Sequence, residues 1–192
     1  MSRPTDTLDH SLIAAAAIES LAENASDSVT APLLCYCIGG LPAVWAYRAV
    51  NTLDAMIGYR GRYEFLGKLP ARLDDLLNLL PARCTALLII GAAALTRQHA
   101  PHAWRIMRAE HQRTASPNAG YPMSALAGAL DVRLEKVDHY TLNPQGQPPT
   151  VEHLRRANQL IALALAVLVA LIAWGLRQAG QPAQQPHGAS RD

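Results

Sequence analysis

Charged and aromatic residues are scarce in this sequence. Asp, Glu, Lys and Arg make up 17% of the 192 residues, and there is a single Phe. The formal net charge of +2 gives no case for a nucleic-acid-binding surface, where a basic patch or stripe is expected. Half of the residues are apolar, so the composition predicts a helical chain without a nucleic acid partner.

Other common signatures are also absent. Cys35, Cys37 and Cys84 lack the paired spacing of a zinc site or a disulfide framework, and we expect them to be small buried hydrophobes. The sequence contains no Walker A loop and no GxGxxG dinucleotide fingerprint. The N-terminus lacks the basic and apolar regions of a signal peptide, so no cleavage is expected there.

Long apolar runs, by contrast, are present. The clearest covers residues 160–174 and continues without charge to Leu176, with Arg155, Arg156 and Arg177 on its flanks. About 17 uncharged residues are just enough to cross a hydrocarbon core of about 30 Å. This run predicts a transmembrane helix.

Two shorter apolar runs are less regular. Residues 31–47 are uncharged but are interrupted by Pro32, Gly39, Gly40 and Pro42, which predicts a broken or kinked span. Residues 84–95 are few for a full span and favour a re-entrant or half-buried helix. Together the three runs predict an all-α, polytopic integral membrane protein.

Basic residues give an orientation. Residues 48–83 contain six Lys or Arg, and residues 97–156 contain eight, so both segments are expected to be cytoplasmic. A full crossing by residues 84–95 would put them on opposite sides, and a re-entrant helix removes that conflict. Reporter fusions at Tyr63 and Asn118 test this hypothesis, since reports from opposite faces would exclude it.

A first polar pattern lies in residues 11–28, which predict a helix capped by Asp9 or Ser11 and ended by Pro32. Glu19, Glu23 and Asp27 recur every four residues and share one face, with Asn24 beside them. Like charges at this spacing repel each other. The face is therefore either simply solvated or accommodates a cation.

The second pattern covers residues 46–83. Asn51 and Asp54 lie three apart, residues 58–61 resemble a turn, and Pro70 is expected to open a helix. That helix carries Arg72, Asp74, Asp75 and Asn78. Adjacent carboxylates near a membrane suit Mg²⁺, whereas the simpler alternative is a surface ion pair of Arg72 with Asp75.

The third pattern is an irregular loop with Ser116 and Asn118, followed by a small-residue helix. Its backbone N–H groups and side-chain amide would suit an anionic ligand, or the loop is an ordinary turn. Residues 179–192 are rich in Gln, Pro, Gly and Ala and are expected to be a disordered tail, leaving residues 1–178 as one membrane domain.

Four strings, taken together, resemble a known family. IESLAENASDSVTAPL, YRAVNTLDAMIGYR, ARLDDLLNLLPARCTALL and SPNAGYPMSALAGAL occur in the order and at the separations of the adenosylcobinamide-phosphate synthase family, CobD/CbiB. The likeness covers roughly residues 3–175, and HYTLNPQGQPPTVEHLRRANQLI is similar to the family's closing hairpin and terminal helix.

The resemblance implies a multi-pass enzyme of the bacterial inner membrane with its motif loops in the cytoplasm. It would join aminopropanol, free or phosphorylated, to a carboxylate of adenosylcobyric acid, using ATP and Mg²⁺. The implied catalytic residues are Glu19, Glu23, Asp27, Asp54, Asp74 and Asp75, with Asp74 and Asp75 as metal ligands. The implied substrate-binding residues are Asn24, Asn51, Arg72, Asn78, Arg83, Ser116 and Asn118.

Two departures from the family pattern leave alternatives open. The family has a further N-terminal portion, so this chain is expected to be a fragment, an inactive or partial subunit, or one that works with an N-terminal partner chain or as a homo-oligomer. Residues 131–137, DVRLEKV, replace a stretch in which the family more often has glycines. The alternative function is that of a non-enzymatic membrane sensor similar to the AmpE proteins.

Overall fold

The computed structural model describes residues 9–58 and 64–179. Only Gly58 of the predicted turn at 58–61, and only Ala179 of the predicted tail, lie within those ranges. The seven α-helices of the described residues are α1 (His10–Asn24), α2 (Ala31–Ile57), α3 (Glu64–Leu77), α4 (Leu79–Leu95), α5 (Ala100–Glu110), α6 (Gly120–Leu130) and α7 (Val151–Ala179). A π-helical segment (Ala25–Thr30), a 3₁₀ turn (His111–Arg113) and the strands β1 (Leu134–Lys136) and β2 (Tyr140–Leu142) complete the order.

The first two helices form one continuous run, and the prediction that Pro32 ends the first helix is wrong. The π-helical segment joins α1 to α2, and Pro32 lies in the first turn of α2. A proline is tolerated there because its missing N–H and fixed φ suit the start of a helix. The wider turn of the π-helix lets the helical run continue past Pro32.

The predicted kink in residues 31–47 is confirmed. Gly39 and Gly40 have non-helical dihedral angles, and Gly40 has a φ of +63°. This left-handed conformation is strained for residues with a Cβ atom, so glycine is required at the bend.

The third helix begins earlier than expected. Pro70 lies inside α3 instead of opening it, because the helix already begins at Glu64. A break at Asn78 separates α3 from α4, and the two helices are bent by 43°.

The interior of the protein is built around α6, every residue of which is buried except Tyr121. Helices α4 and α5 pack against it, and Gly128 allows the backbone of α5 to approach closely at Ala103. Strands β1 and β2 pair antiparallel beside α1, so the all-α prediction omitted a short hairpin in a protein that is otherwise helical.

Within the described ranges, two helical stretches are long and apolar enough to cross a membrane, His10–Ile57 and Val151–Gln178, and the bent pair of α3 and α4 is a third candidate. The span predicted at 160–174 is part of α7. The prediction of buried cysteines is wrong, since Cys37 is exposed and Cys35 and Cys84 are half-buried.

Candidate functional site

The polar motifs meet around Asp74, near the end of α3. Both oxygens of its carboxylate accept hydrogen bonds from side-chain amides. Asn51 Nδ2 donates to Oδ1 at 3.1 Å, and Asn78 Nδ2 donates to Oδ2 at 2.9 Å. Two donors, one on α2 and one at the break between α3 and α4, fix the carboxylate in one orientation.

Tyr47 connects this carboxylate to the π-helical segment. Its side chain is 1% exposed, and its hydroxyl lies 2.9 Å from the Asp27 carbonyl oxygen and 3.0 Å from Asn78 Oδ1. A hydroxyl has one proton, so the two acceptors share it. The backbone of Asp27 and the side chain of Asn78 are therefore held by the same group.

The Asp27 carbonyl needs this side-chain donor because of the local backbone register. In the π-helical segment the N–H of Ala31 bonds to Ser26 O, five residues back. The same register pairs Asp27 O with residue 32, which is proline and has no N–H. Leaving a partly buried carbonyl without a donor is costly, and the Tyr47 hydroxyl supplies one.

Carboxylates surround this network, and we call Glu23, Asp27, Asp54, Asp74 and Asp75 the acidic cluster. The charge of Asp74 acts electrostatically on each of the other four. Four members are half-buried and Glu23 is exposed. Mutual repulsion among them favours a bound cation.

The oxygen atoms of the cluster fit Mg²⁺, which prefers carboxylate and water ligands. Among the described residues, however, no three His, Cys, Asp or Glu side chains lie close enough to hold a metal ion by themselves. An ion held by Asp74 and Asp75 would need further oxygen ligands from water or phosphate.

Arg83 borders the cluster from α4. Its guanidinium carbon lies 4.3 Å from the centre of the Tyr121 ring, and Nη1 donates to Leu79 O at 2.6 Å. A longer bond of 3.5 Å reaches Asn118 Oδ1. Within the described part of the chain Arg83 forms no ion pair with a carboxylate, so its charge is available to an anionic ligand.

The loop before α6 is tied to the same place. Asn118 is buried and donates through Nδ2 to the Asp75 carbonyl at 2.7 Å. The backbone N–H groups of Asn118 and Ala119 both donate to Ser116 Oγ, so the loop uses them internally, as a turn does. Their expected availability to an anionic ligand is not observed.

Three residues predicted from the sequence lie apart from this network. Glu19 is buried on α1. Asn24 lines a separate groove of 560 Å³ between α1 and α7 and donates to Ser20. Arg72 is exposed, and no ion pair joins it to Asp75 in the described ranges.

Sequence reasoning missed three residues of the site: Tyr47, Tyr121 and Lys136, whose charge acts on Glu23. A signal existed for Tyr47, which lies four residues before Asn51 and seven before Asp54 and so shares their helix face. Tyr121 follows the SPNAG loop directly. Lys136 reaches Glu23 only through the hairpin, which no local pattern reveals.

Comparison with known proteins identifies the family. The family model described as "CobD/Cbib protein" matches residues 1–179. The chain belongs to the CobD/CbiB family. This membership agrees with the likeness of the four strings, and it does not favour the AmpE-like sensor.

Curated relatives carry the same family name. "Cobalamin biosynthesis protein CobD" of Dehalococcoides mccartyi is 51% identical over 77% of this chain and 48% of its own length. "Probable cobalamin biosynthesis protein CobD" of Methanothermobacter thermautotrophicus is 44% identical over 92% of this chain and 59% of its own. A protein with the same name in Pyrococcus furiosus is 43% identical over 91% of this chain and 59% of its own length.

This CobD/CbiB chain therefore spans about half to three fifths of the length of these relatives. No solved structure matches it.

Proposed function

We propose that this chain acts in cobalamin biosynthesis, in the ATP-dependent joining of aminopropanol, or its phosphate, to a carboxylate of adenosylcobyric acid. The product is adenosylcobinamide or its phosphate. The names of the relatives support the pathway, and the acidic cluster together with Arg83, which no carboxylate of the described residues pairs with, supports the reaction class.

The chemistry of amide formation explains why the site needs both carboxylates and a cationic side chain. A carboxylate is a poor acyl donor, so the γ-phosphoryl group of ATP is first transferred to it, releasing ADP. The amine then attacks the acyl carbon, the C–N bond forms, and phosphate leaves. Mg²⁺ would neutralise phosphate charge during both steps.

The residues of this chain can be given roles on that basis. Arg83, held against Tyr121 and by Leu79 O, would bind a phosphate group through its guanidinium fork. Asp74 and Asp75 would hold Mg²⁺. Asp54 lies within electrostatic range of Asp74 and Asp75, and its carboxylate would attract the amine in its ammonium form.

One observation carries the proposal: Asp74 is held by two amides, its charge acts on four further carboxylates of α1, α2, α3 and the π-helical segment, and Asn118 links Arg83 to the backbone of Asp75. Uncompensated polar groups between apolar helices are expensive and indicate function.

The test is an assay of membranes that contain the full chain, supplied with adenosylcobyric acid, aminopropanol phosphate, ATP and Mg²⁺. We expect mass spectrometry to detect the amide, and Asp74→Asn to lower its rate by roughly 100-fold. Asp74→Asn is nearly isosteric but sets an NH₂ group against one of the two amide donors.

Asp138→Asn is the matched control, because Asp138 is an exposed carboxylate in the hairpin turn. Its rate should equal that of the unaltered chain. A folded, membrane-inserted chain that forms no amide, or equal rates for Asp74→Asn and the control, would refute the proposal.

A further inference from the structure

The hairpin formed by the second half of α2 and by α3 has its polar side inside. Tyr47, Asn51 and Asp54 recur at i, i+4 and i+7 on α2, and they face α3. Asn51 bonds to Asp74 and Tyr47 bonds to Asn78, so both helices use polar side chains where they meet. A water-soluble helix pair would bury its apolar side instead.

The apolar side chains of the same hairpin lie outside. Large ones that are between 47% and 87% exposed include Trp45, Leu53, Met56, Phe65, Leu69 and Leu76. Fully removing such a side chain from water is favourable by about 1.5–3 kcal/mol. An exposed apolar surface of this kind marks a contact with membrane or protein.

Basic side chains on this surface indicate whether it contacts a membrane or another protein. Lys68 and Arg72 are exposed one helical turn apart on α3, among the outward leucines, and Lys68 Nζ lies 5.0 Å from the centre of the Phe65 ring. Lysine is depleted in the cores of protein interfaces. At a membrane surface, long basic side chains extend along apolar groups and reach the lipid headgroups.

Continuity with neighbouring elements also favours the bilayer. The second half of α2, after the Gly39–Gly40 kink, belongs to the stretch His10–Ile57, which is long and apolar enough to cross a membrane. Helix α3 also passes that test together with α4, although the pair is bent by 43°.

We propose that the outer face of this hairpin lies in the surface layer of an anionic lipid bilayer. Its apolar side chains contact acyl chains, and Lys68 and Arg72 reach the phosphate headgroups. The acidic cluster then lies on the opposite side of the hairpin, away from lipid.

The test uses the full chain with its three cysteines replaced by alanine, in nanodiscs of phosphatidylcholine and phosphatidylglycerol. Nitroxide labels are placed at Leu69→Cys and Leu76→Cys, with Val137→Cys as the control. Val137 is an exposed apolar residue of comparable accessibility in the β1–β2 turn. We expect collisions with oxygen to exceed those with a water-soluble nickel chelate several-fold at 69 and 76, and the reverse at 137.

Two results would overturn the proposal. Nickel accessibility at 69 and 76 equal to that at 137 would put the face in water. Protection from both reagents would show that protein covers it, either a second copy or another chain.

A second measurement leaves the hairpin unaltered. In a Trp104→Phe, Trp174→Phe background, brominated lipid should quench the fluorescence of Trp45 by a large fraction. Quenching no greater than in lipid without bromine would count against the proposal.

Discussion

The single hydroxyl group of Tyr47 holds two parts of the site in place. It serves a backbone carbonyl of the π-helical segment and the amide that fixes Asp74. Its role comes from position, because the ring is fully buried and only the hydroxyl meets polar atoms.

Replacement of Tyr47 by Phe should destabilise the protein. The ring still fills its space, but a buried acceptor on Asn78 and the partly buried carbonyl of Asp27 lose their donor, at a cost of about 1–3 kcal/mol. The free energy of unfolding in detergent micelles measures the effect. Tyr36→Phe is the control, because Tyr36 is an exposed tyrosine on the same helix, and a change there should stay below about 0.5 kcal/mol. Equal losses for both variants would contradict this role.

At the scale of helices, the link between Pro32 and Tyr47 can be tested by combining substitutions. Pro32→Ala restores an N–H that can bond to Asp27 O or, in the α-helical register, to Ser28 O. In the second case Ala31 becomes free to donate to Asp27 O. Either way, Asp27 O gains a backbone donor.

Tyr47→Phe should therefore cost less, by about 1 kcal/mol, in the Pro32→Ala background than in the unaltered chain. A double-mutant cycle from unfolding free energies measures the difference. Pro42→Ala is the control, because Pro42 lies beyond the Gly39–Gly40 kink. Strict additivity with Pro32→Ala would show that the carbonyl and the hydroxyl are not linked.

The crossing of α5 and α6 gives a second prediction at this scale. A Cβ atom at Gly128 would lie 2.7 Å from Ala103 Cα, so Gly128→Ala should destabilise the protein by roughly 1–3 kcal/mol. Gly91→Ala is the matched control, since a Cβ there meets nothing within 4 Å. It should be neutral or stabilising by up to about 1 kcal/mol. Similar melting temperatures for the two variants would contradict the close approach.

Much of this architecture can be predicted from the sequence, because apolar runs, glycines and capping residues act locally. The kink at Gly39–Gly40 and the apolar run of residues 160–174 within α7 are examples. The passage of a helix through Pro32 could not be predicted, because it depends on a π-helical register that Tyr47 completes from 20 residues away. The prediction that Pro70 opens a helix was wrong for a similar reason. Gly67 packs against the Ile57 carbonyl, and α3 already begins at Glu64, before Pro70.

The site, too, combines residues that local sequence predicts with residues that only tertiary packing brings together. Asp74, Asp75, Asn78 and Arg83 form one dense motif, and the chain's own spacing places them near each other. Which predicted residues join them is decided by tertiary packing: Asn118 does so through the Asp75 carbonyl, whereas Asn24 turns toward a different groove.

At the scale of the whole molecule, α4 leads away from the site and α5 returns to it. The bond between Asn118 and Asp75, and the contact of Arg83 with Tyr121, place Asn118 and Tyr121 of the second basic segment beside the N-terminal end of α4. The re-entrant interpretation of residues 84–95, which puts both basic segments on one side of the bilayer, stays a prediction.

Single cysteines at Arg48 and Gln112, both exposed positions, should therefore react with a membrane-impermeant maleimide from the same side of the bilayer. The measurement compares right-side-out and inverted vesicles in a background without native cysteines. Labelling from opposite sides would show that α4 crosses fully.

The hydrogen bonds of the site join residues 20, 31 and 43 positions apart. A ribosome that adds about 5–20 residues per second needs roughly 5–20 s to progress from Asp27 to Asn118. Throughout that interval the nascent helices carry their carboxylates without the amide of Asn118 and without the packing of α6. The order of synthesis therefore prevents the acidic cluster from maturing before the loop that carries Asn118 has been made.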